Sequence, residues 1–313
     1  MRRIFVCLLA IFMIIGSFSS CAERADGEKP TVVCTSFVQY DWARQILGGN
    51  DAVTLRLLVG GGKDMHSFEP SAADMVAILE SDLLIYTGGI SEAWVDELAM
   101  RGELSRPLSL LDLLGENVKY ADAEDAEHGH DEEGHAQSEI DEHVWLSLKN
   151  AMLFCGEITN ALCEIDGENA ALYRENCERY LAALSALDSE YTSLALEAEQ
   201  KTLVVADRYP YRYLFEDYGI TCHAAFSGCS SESEASFSTV IFLAERIDTL
   251  GLDGILVTES ADIRLAETVR ANTQGKNAEI LTLHSLQSVT APASESYLDI
   301  MRSNLDVLKK VLN

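Results

Sequence analysis

From Asp166 to Gln200 the chain contains no proline, and Leu172, Tyr173, Tyr180, Leu181, Leu184, Leu187, Tyr191 and Leu194 recur at three- and four-residue steps. That spacing predicts one long helix. About 30 residues rising 1.5 Å each would extend ~45 Å, more than a small domain is wide. On both sides of it, short β-branched runs alternate with amphipathic stretches. Strands are predicted at 31–37, 53–58, 82–87, 202–206, 220–225, 254–258 and 279–283, and helices at 71–81, 236–250, 262–273 and 294–312. Such alternation implies parallel sheets with helices on both faces. The expected fold class is therefore α/β: two Rossmann-like lobes joined by one long backbone helix. The expected boundaries are 31–165 for the first lobe, 166–200 for the helix and 201–313 for the second lobe. Ligands in such folds bind at the carboxyl ends of the strands, so the cleft between the lobes is the expected site.

The 23 basic and 51 acidic residues give a formal charge of −28. A surface of that sign repels nucleic acid and bare anionic lipid and concentrates cations. No nucleic-acid partner is expected, and the chain is expected to be a monomer. The opening MRRIFVCLLAIFMIIGSFSSC has a basic head at Arg2 and Arg3, an apolar run and a small-residue stretch, the pattern of a secretory signal over 1–20. Cys21, directly after Ser-Ser, resembles the lipobox of bacterial lipoproteins. Lipidation there would tether the protein to the outer face of a membrane through residues 21–30, and a plain signal peptide cleaved elsewhere is the alternative. The six later cysteines form no CxxC pair, which argues against a thiolate zinc knuckle. Cys222 and Cys229 are the favoured disulfide, and most of the others are expected to be small buried apolar residues.

Three histidines fall in loops that should line the cleft: His66 in GGGKDMHSFEP, His143 in DEHVWLS and His284 in ILTLHSL. One histidine in such a place is usually a structural hydrogen-bonder. Three on different elements at equivalent levels suit a metal ion. Residues 121–142 add ten acids and three more histidines, His128, His130 and His135, without a lysine or arginine. The plain reading of that run is a solubilising insertion. The alternative is an auxiliary loop in which imidazoles collect a cation that the carboxylates concentrate.

Taken in order, VVCTSFVQYDWARQILGG, MHSFEPSAADM, SDLLIYTGG, DEHVWLS, SSESEASF, LDGILVTES and SYLDIMRSNLDVL resemble the signatures of the solute-binding lipoproteins of bacterial ABC transporters for zinc and manganese. The resemblance implies capture of Zn²⁺ outside the cytoplasm and delivery to an ABC permease and its ATPase, without catalysis. It implies His66 and His143 as first-lobe ligands, with His284 where relatives place a carboxylate. Arg208 occupies the position of the family's third ligand and, being always protonated, cannot bind a cation. Asp207 is the nearest substitute and Glu259 the reserve, with Arg208 expected to pair with an acid. Three imidazoles and at most one carboxylate suit tetrahedral zinc, whereas manganese prefers more oxygen ligands. A manganese- or iron-binding relative or an adhesin is the nearest alternative. A zinc hydrolase is the alternative from another class, disfavoured because the chain has neither HExxH nor G-x-S-x-G.

Overall fold

The computed structural model describes residues 29–60, 62–120, 139–226, 235–289 and 295–313. The leader with Cys21, the histidines at 128, 130 and 135, and Cys229 of the favoured disulfide lie outside the described residues.

The first sheet holds β1 (Thr31–Cys34), β2 (Thr54–Leu57), β3 (Leu83–Tyr86) and β4 (Pro107–Ser109) in the order β2-β1-β3-β4, all parallel. The second repeats that order as β6-β5-β7-β8, from β5 (Thr202–Val205), β6 (Thr221–Ala224), β7 (Gly254–Val257) and β8 (Glu279–Thr282). Helices α1 (Phe37–Leu47), α2 (Ala72–Leu79), α3 (Ala93–Met100), α4 (Leu110–Leu114) and α5 (Leu148–Ile165) precede the long helix α6 (Ala170–Glu197). After it come α7 (Arg212–Tyr218), α8 (Phe237–Leu250), α9 (Arg264–Asn272) and α10 (Tyr297–Leu312). All seven predicted strands form, each within a few residues of its expected ends. The unpredicted one is β4, three residues at a sheet edge. Pro107 is tolerated there because the first residue of an edge strand need not donate to the ladder.

The long helix has 28 residues, or about 42 Å. It starts later than its expected cap. Asp166 is extended (φ −141°) and ends α5, while its carboxylate accepts hydrogen bonds from Asn169 Nδ2 and the Tyr173 hydroxyl. A 3-10 turn at Gly167–Asn169 then leads into α6.

Strand alternation divides the core into layers. Val32 and Cys34 of β1, and Leu203 and Val205 of β5, face one continuous cluster that also takes in Tyr173, Leu184, Leu187 and Tyr191 of α6 and Leu305 and Leu308 of α10. Val33 and Val204 face the opposite way, into smaller clusters under the outer helices of each half. The two halves thus share their main core. Polar links run between them as well. The indole Nε1 of Trp145 donates to the Ser285 carbonyl (2.9 Å), the Tyr297 hydroxyl to the Trp145 carbonyl (2.7 Å), and the Tyr213 hydroxyl to the Asp141 carbonyl (3.2 Å).

Cys34, Cys155 and Cys177 are buried, and burial pushes their thiols above the ordinary range, so they behave as small apolar residues. No helix among the described residues is long and apolar enough to cross a membrane.

Candidate metal centre

His66 follows β2 through the glycine-rich loop and sits in a 3-10 turn, Met65–Ser67. The buried Met65 anchors that turn, and Asp64 caps it by accepting the His66 backbone N–H through Oδ1 at 2.9 Å. His143 lies just after an antiparallel bridge between Tyr120 and Ile140 and a bond from the Asp141 N–H to the Lys119 carbonyl (2.9 Å), which hold its backbone in place. The next turn, Val144–Leu146, is fully buried and locks the backbone beside the ring.

These two turns bring the imidazoles together. His66 Nε2 and His143 Nε2 are 3.2 Å apart, and the ring centroids 5.2 Å. His143 is nearly buried, and its Nδ1 lies 2.7 Å from Asp141 Oδ1, which also accepts the His143 backbone N–H. An ionised carboxylate only accepts, so the His143 ring proton lies on Nδ1 and the Nε2 lone pair points at His66. His66 Nδ1 is 2.7 Å from Ser91 Oγ and 3.5 Å from Glu142 Oε2. Burial pushes the Glu142 carboxyl up, but the His66 and Ser91 side chains and the Ser91 amide outweigh it and hold the group below its ordinary value. The paired Nε2 atoms have the spacing of two corners of a zinc tetrahedron: bonds of ~2.0–2.1 Å place neighbouring ligands roughly 3.3–3.4 Å apart.

The second half presents its residues differently. His284 follows β8, held by Asn304, which accepts its N–H (2.7 Å) and donates to its carbonyl (2.8 Å). Its Nδ1 accepts the Leu286 N–H at 2.9 Å, which places the neutral ring's proton on Nε2. Glu259, at the end of β7, accepts from the Ser285 N–H (2.7 Å) and hydroxyl (2.9 Å), so it braces the His284 loop. Asp207 ends β5 and accepts from the Thr258 N–H (3.0 Å) and hydroxyl through Oδ2. Arg208 reaches across the groove to Asp64, with Nη1 3.6 Å from Oδ2. Among the described residues no three His, Cys, Asp or Glu side chains converge at ligand distance. The structure therefore brings together His66 and His143, and leaves His284, Asp207 and Glu259 in internal hydrogen bonds. A cavity of ≈ 770 Å³ is lined by Asp64, Asp207, Arg208 and Thr258 among others.

The groups that the sequence reading missed are Ser91, Asp141 and Glu142, which surround the two imidazoles. Their signal was the Asp-Glu-His triplet itself. Both acids belong to the acidic run 121–142 in sequence, yet they are buried.

Two parallel α/β sheets that share a core, with facing imidazoles on the loops between them, define the two-lobed binding-protein class. The chain belongs to the family described as zinc-uptake complex component A, periplasmic (ZnuA), whose model matches residues 32–311. It is similar to the zinc-binding lipoprotein AdcA of Streptococcus pneumoniae, with 29% identity over 99% of this chain and 61% of that protein. It thus spans about three-fifths of the length of that relative. The high-affinity zinc uptake system protein ZnuA of Bacillus subtilis is 27% identical over 98% of this chain and 95% of its own length. Among solved structures, Zn(II)-bound AdcA of S. pneumoniae superposes with a TM-score of 0.71 at 26% identity, over 91% of this chain and 58% of that one. The metal-dependent lipoprotein YcdH of B. subtilis gives 0.73 at 27% identity, over 91% and 99%.

Proposed function

We propose that this protein captures Zn²⁺ outside the cytoplasm and delivers it to an ABC permease and its ATPase, tethered to the membrane by lipid on Cys21. The observation that carries this reading is the His66–His143 pair. Two imidazole nitrogens 3.2 Å apart, if both bare, repel unless a proton or a cation lies between them, and their spacing suits zinc. Relatives named as zinc-binding and zinc-uptake proteins support the same ion. His284 and Asp207 are the proposed contribution of the second half, with Glu259 in reserve. Each must first release a bond: His284 the Leu286 amide, Asp207 the Thr258 amide and hydroxyl. Arg208 serves as a brace on Asp64 rather than as a ligand. The His128, His130 and His135 segment acts as a weaker collecting loop.

The test is metal analysis of protein purified without chelator, followed by competition titration of Zn²⁺ against Mn²⁺. One tightly held zinc per chain is expected, and a preference for manganese would overturn the assignment. Ligation requires deprotonated imidazoles, so affinity should fall as pH drops through about 6 to 7. Equal affinity at pH 5 and pH 7.5 would remove the histidines from the site. Turnover of ester or peptide substrates by the zinc-loaded protein would favour a hydrolase instead.

A further inference from the structure

Two residues beyond His143, the indole of Trp145 crosses between the halves. Its Nε1–H donates to the Ser285 carbonyl at 2.9 Å, and Ser285 directly follows His284. Both residues are buried, so that carbonyl has no solvent to turn to. The rest of Ser285 is committed to Glu259, which accepts its N–H at 2.7 Å and its hydroxyl at 2.9 Å. The Trp145 carbonyl accepts the Tyr297 hydroxyl at 2.7 Å. Tyr297 opens α10, and Asn304 on the same helix holds both backbone groups of His284. Trp145 thus reaches the His284 loop directly through its ring and indirectly through its backbone.

The loop needs that many holds. Leu286 is buried and left-handed, with φ +64°, a conformation that a bulky side chain keeps only when its surroundings impose it. Its N–H is the group that donates to His284 Nδ1, so the strained turn and the ring form one unit. Glu259 and Asn304 tie that unit to the second half. The indole ties it to the turn that carries His143, whose ring centroid lies 5.3 Å from that of Trp145. Loss of the indole N–H would leave a buried acceptor unpaired, a costly state, and would cut the strained turn loose from the His143 side.

We propose that Trp145 is a positioning residue: its indole N–H sets the His284 loop at a fixed separation from the His143 turn, so that the His284 side chain turns onto an ion held by the first-half pair. The effect on affinity rests on the zinc-capture reading, whereas the tie itself exists without metal.

The experiment compares full-length wild type with Trp145→Phe, which keeps an aromatic ring but has no N–H. In metal-free protein, amide hydrogen exchange reads the tie. The Leu286 N–H is expected to exchange about tenfold faster in the variant, beyond any change at Leu243, which sits in the separate cluster under α8. Zinc affinity, read by competition with a chromophoric chelator, should fall about tenfold, the lower end for an outer-shell partner. In a His284→Ala background the same substitution should cost less than about twofold, because the residue it acts through is gone. A packing role predicts equal losses in both backgrounds, and that result overturns the proposal. So does a Leu286 amide that exchanges no faster than in wild type. If Trp145→Phe fails to fold, benzothienylalanine at position 145 exchanges the N–H for sulfur in a ring of the same shape, and the same readouts decide. Wild type that binds no zinc tightly sinks the capture reading, and Leu286 exchange then confirms or overturns the tie by itself.

Discussion

His66 and His143 need no rearrangement to offer a pair of nitrogens, whereas His284 and Asp207 must surrender internal hydrogen bonds. Affinity should follow that difference. His66→Ala and His143→Ala are expected to weaken zinc binding by at least about 100-fold. His284→Ala and Asp207→Ala should cost nearer tenfold, or about 1.4 kcal/mol. Isothermal competition titration of the four variants checks the ranking, and equal losses would mean that the proposed second-half ligands are as preorganised as the proposed first-half pair. A separate effect belongs to Glu92, just after Ser91 in the chain. It is buried and accepts the N–H groups of Thr87 (2.7 Å) and Gly88 (2.9 Å). Burial pushes its carboxyl up to about 7, partly offset by the Thr35 side chain and those amides. The folded chain therefore holds this proton more tightly than the unfolded chain does. The group's contribution to stability is full below about pH 4.5 and is lost as pH rises through about 7, by up to roughly 3 kcal/mol. Relative to wild type, Glu92→Gln should gain stability between pH 5 and pH 8, as read by urea unfolding at the two values. At this scale the sequence disclosed which imidazoles to watch, because motif order marks them. It hid their partners, because Ser91 and Glu142 meet only after residues 51 apart in sequence are folded together.

At the level of elements, alternation of strand and helix was readable because parallel strands covered on both faces become short continuous apolar runs: β3 and β7 are buried at all four positions. The edge strand β4 lacked that signature, with Pro107 exposed and Leu108 half-covered. The helix α6 starts later than the sequence predicts: Asp166 is a good cap in isolation, but here its carboxylate is occupied by Asn169 and Tyr173. The segment between Tyr120 and Ile140 carries a prediction of its own. Tyr120 and Ile140 are pinned together next to His143, so removing residues 122–138 is expected not to pull on the site. The deletion variant is expected to keep one tight zinc site and to bind less zinc in total. Calorimetry with unchanged stoichiometry would make the segment a solubilising insertion only.

For the whole molecule, the decisive feature is that one apolar cluster runs through both halves, with Trp145, Tyr213 and Tyr297 hydrogen-bonded across it. Packed cores resist continuous deformation, so opening the groove widely would expose much of this cluster. Addition of zinc is therefore expected to change the small-angle scattering profile little, with local turning of His284 and Asp207 in place of a hinge. A marked drop in radius of gyration on loading would contradict a shared core. This coupling was not legible in the sequence, where a long helix between two α/β runs reads equally well as a spacer between independent lobes.

The backbone N–H of Tyr297, which opens α10, donates to Asp41 in α1 across 256 residues of chain. The first half of the molecule is therefore finished by residues 256 positions further along the chain. A chain emerging from its N-terminus would leave the Asp41 carboxylate and the Trp42 ring, which meets Tyr297 edge-on, without their final cover until α10 arrives. Distant closures of this kind slow folding and make it more nearly all-or-none. An incomplete chain that already carried His66 and His143 would then be poorly folded and a weak scavenger of metal.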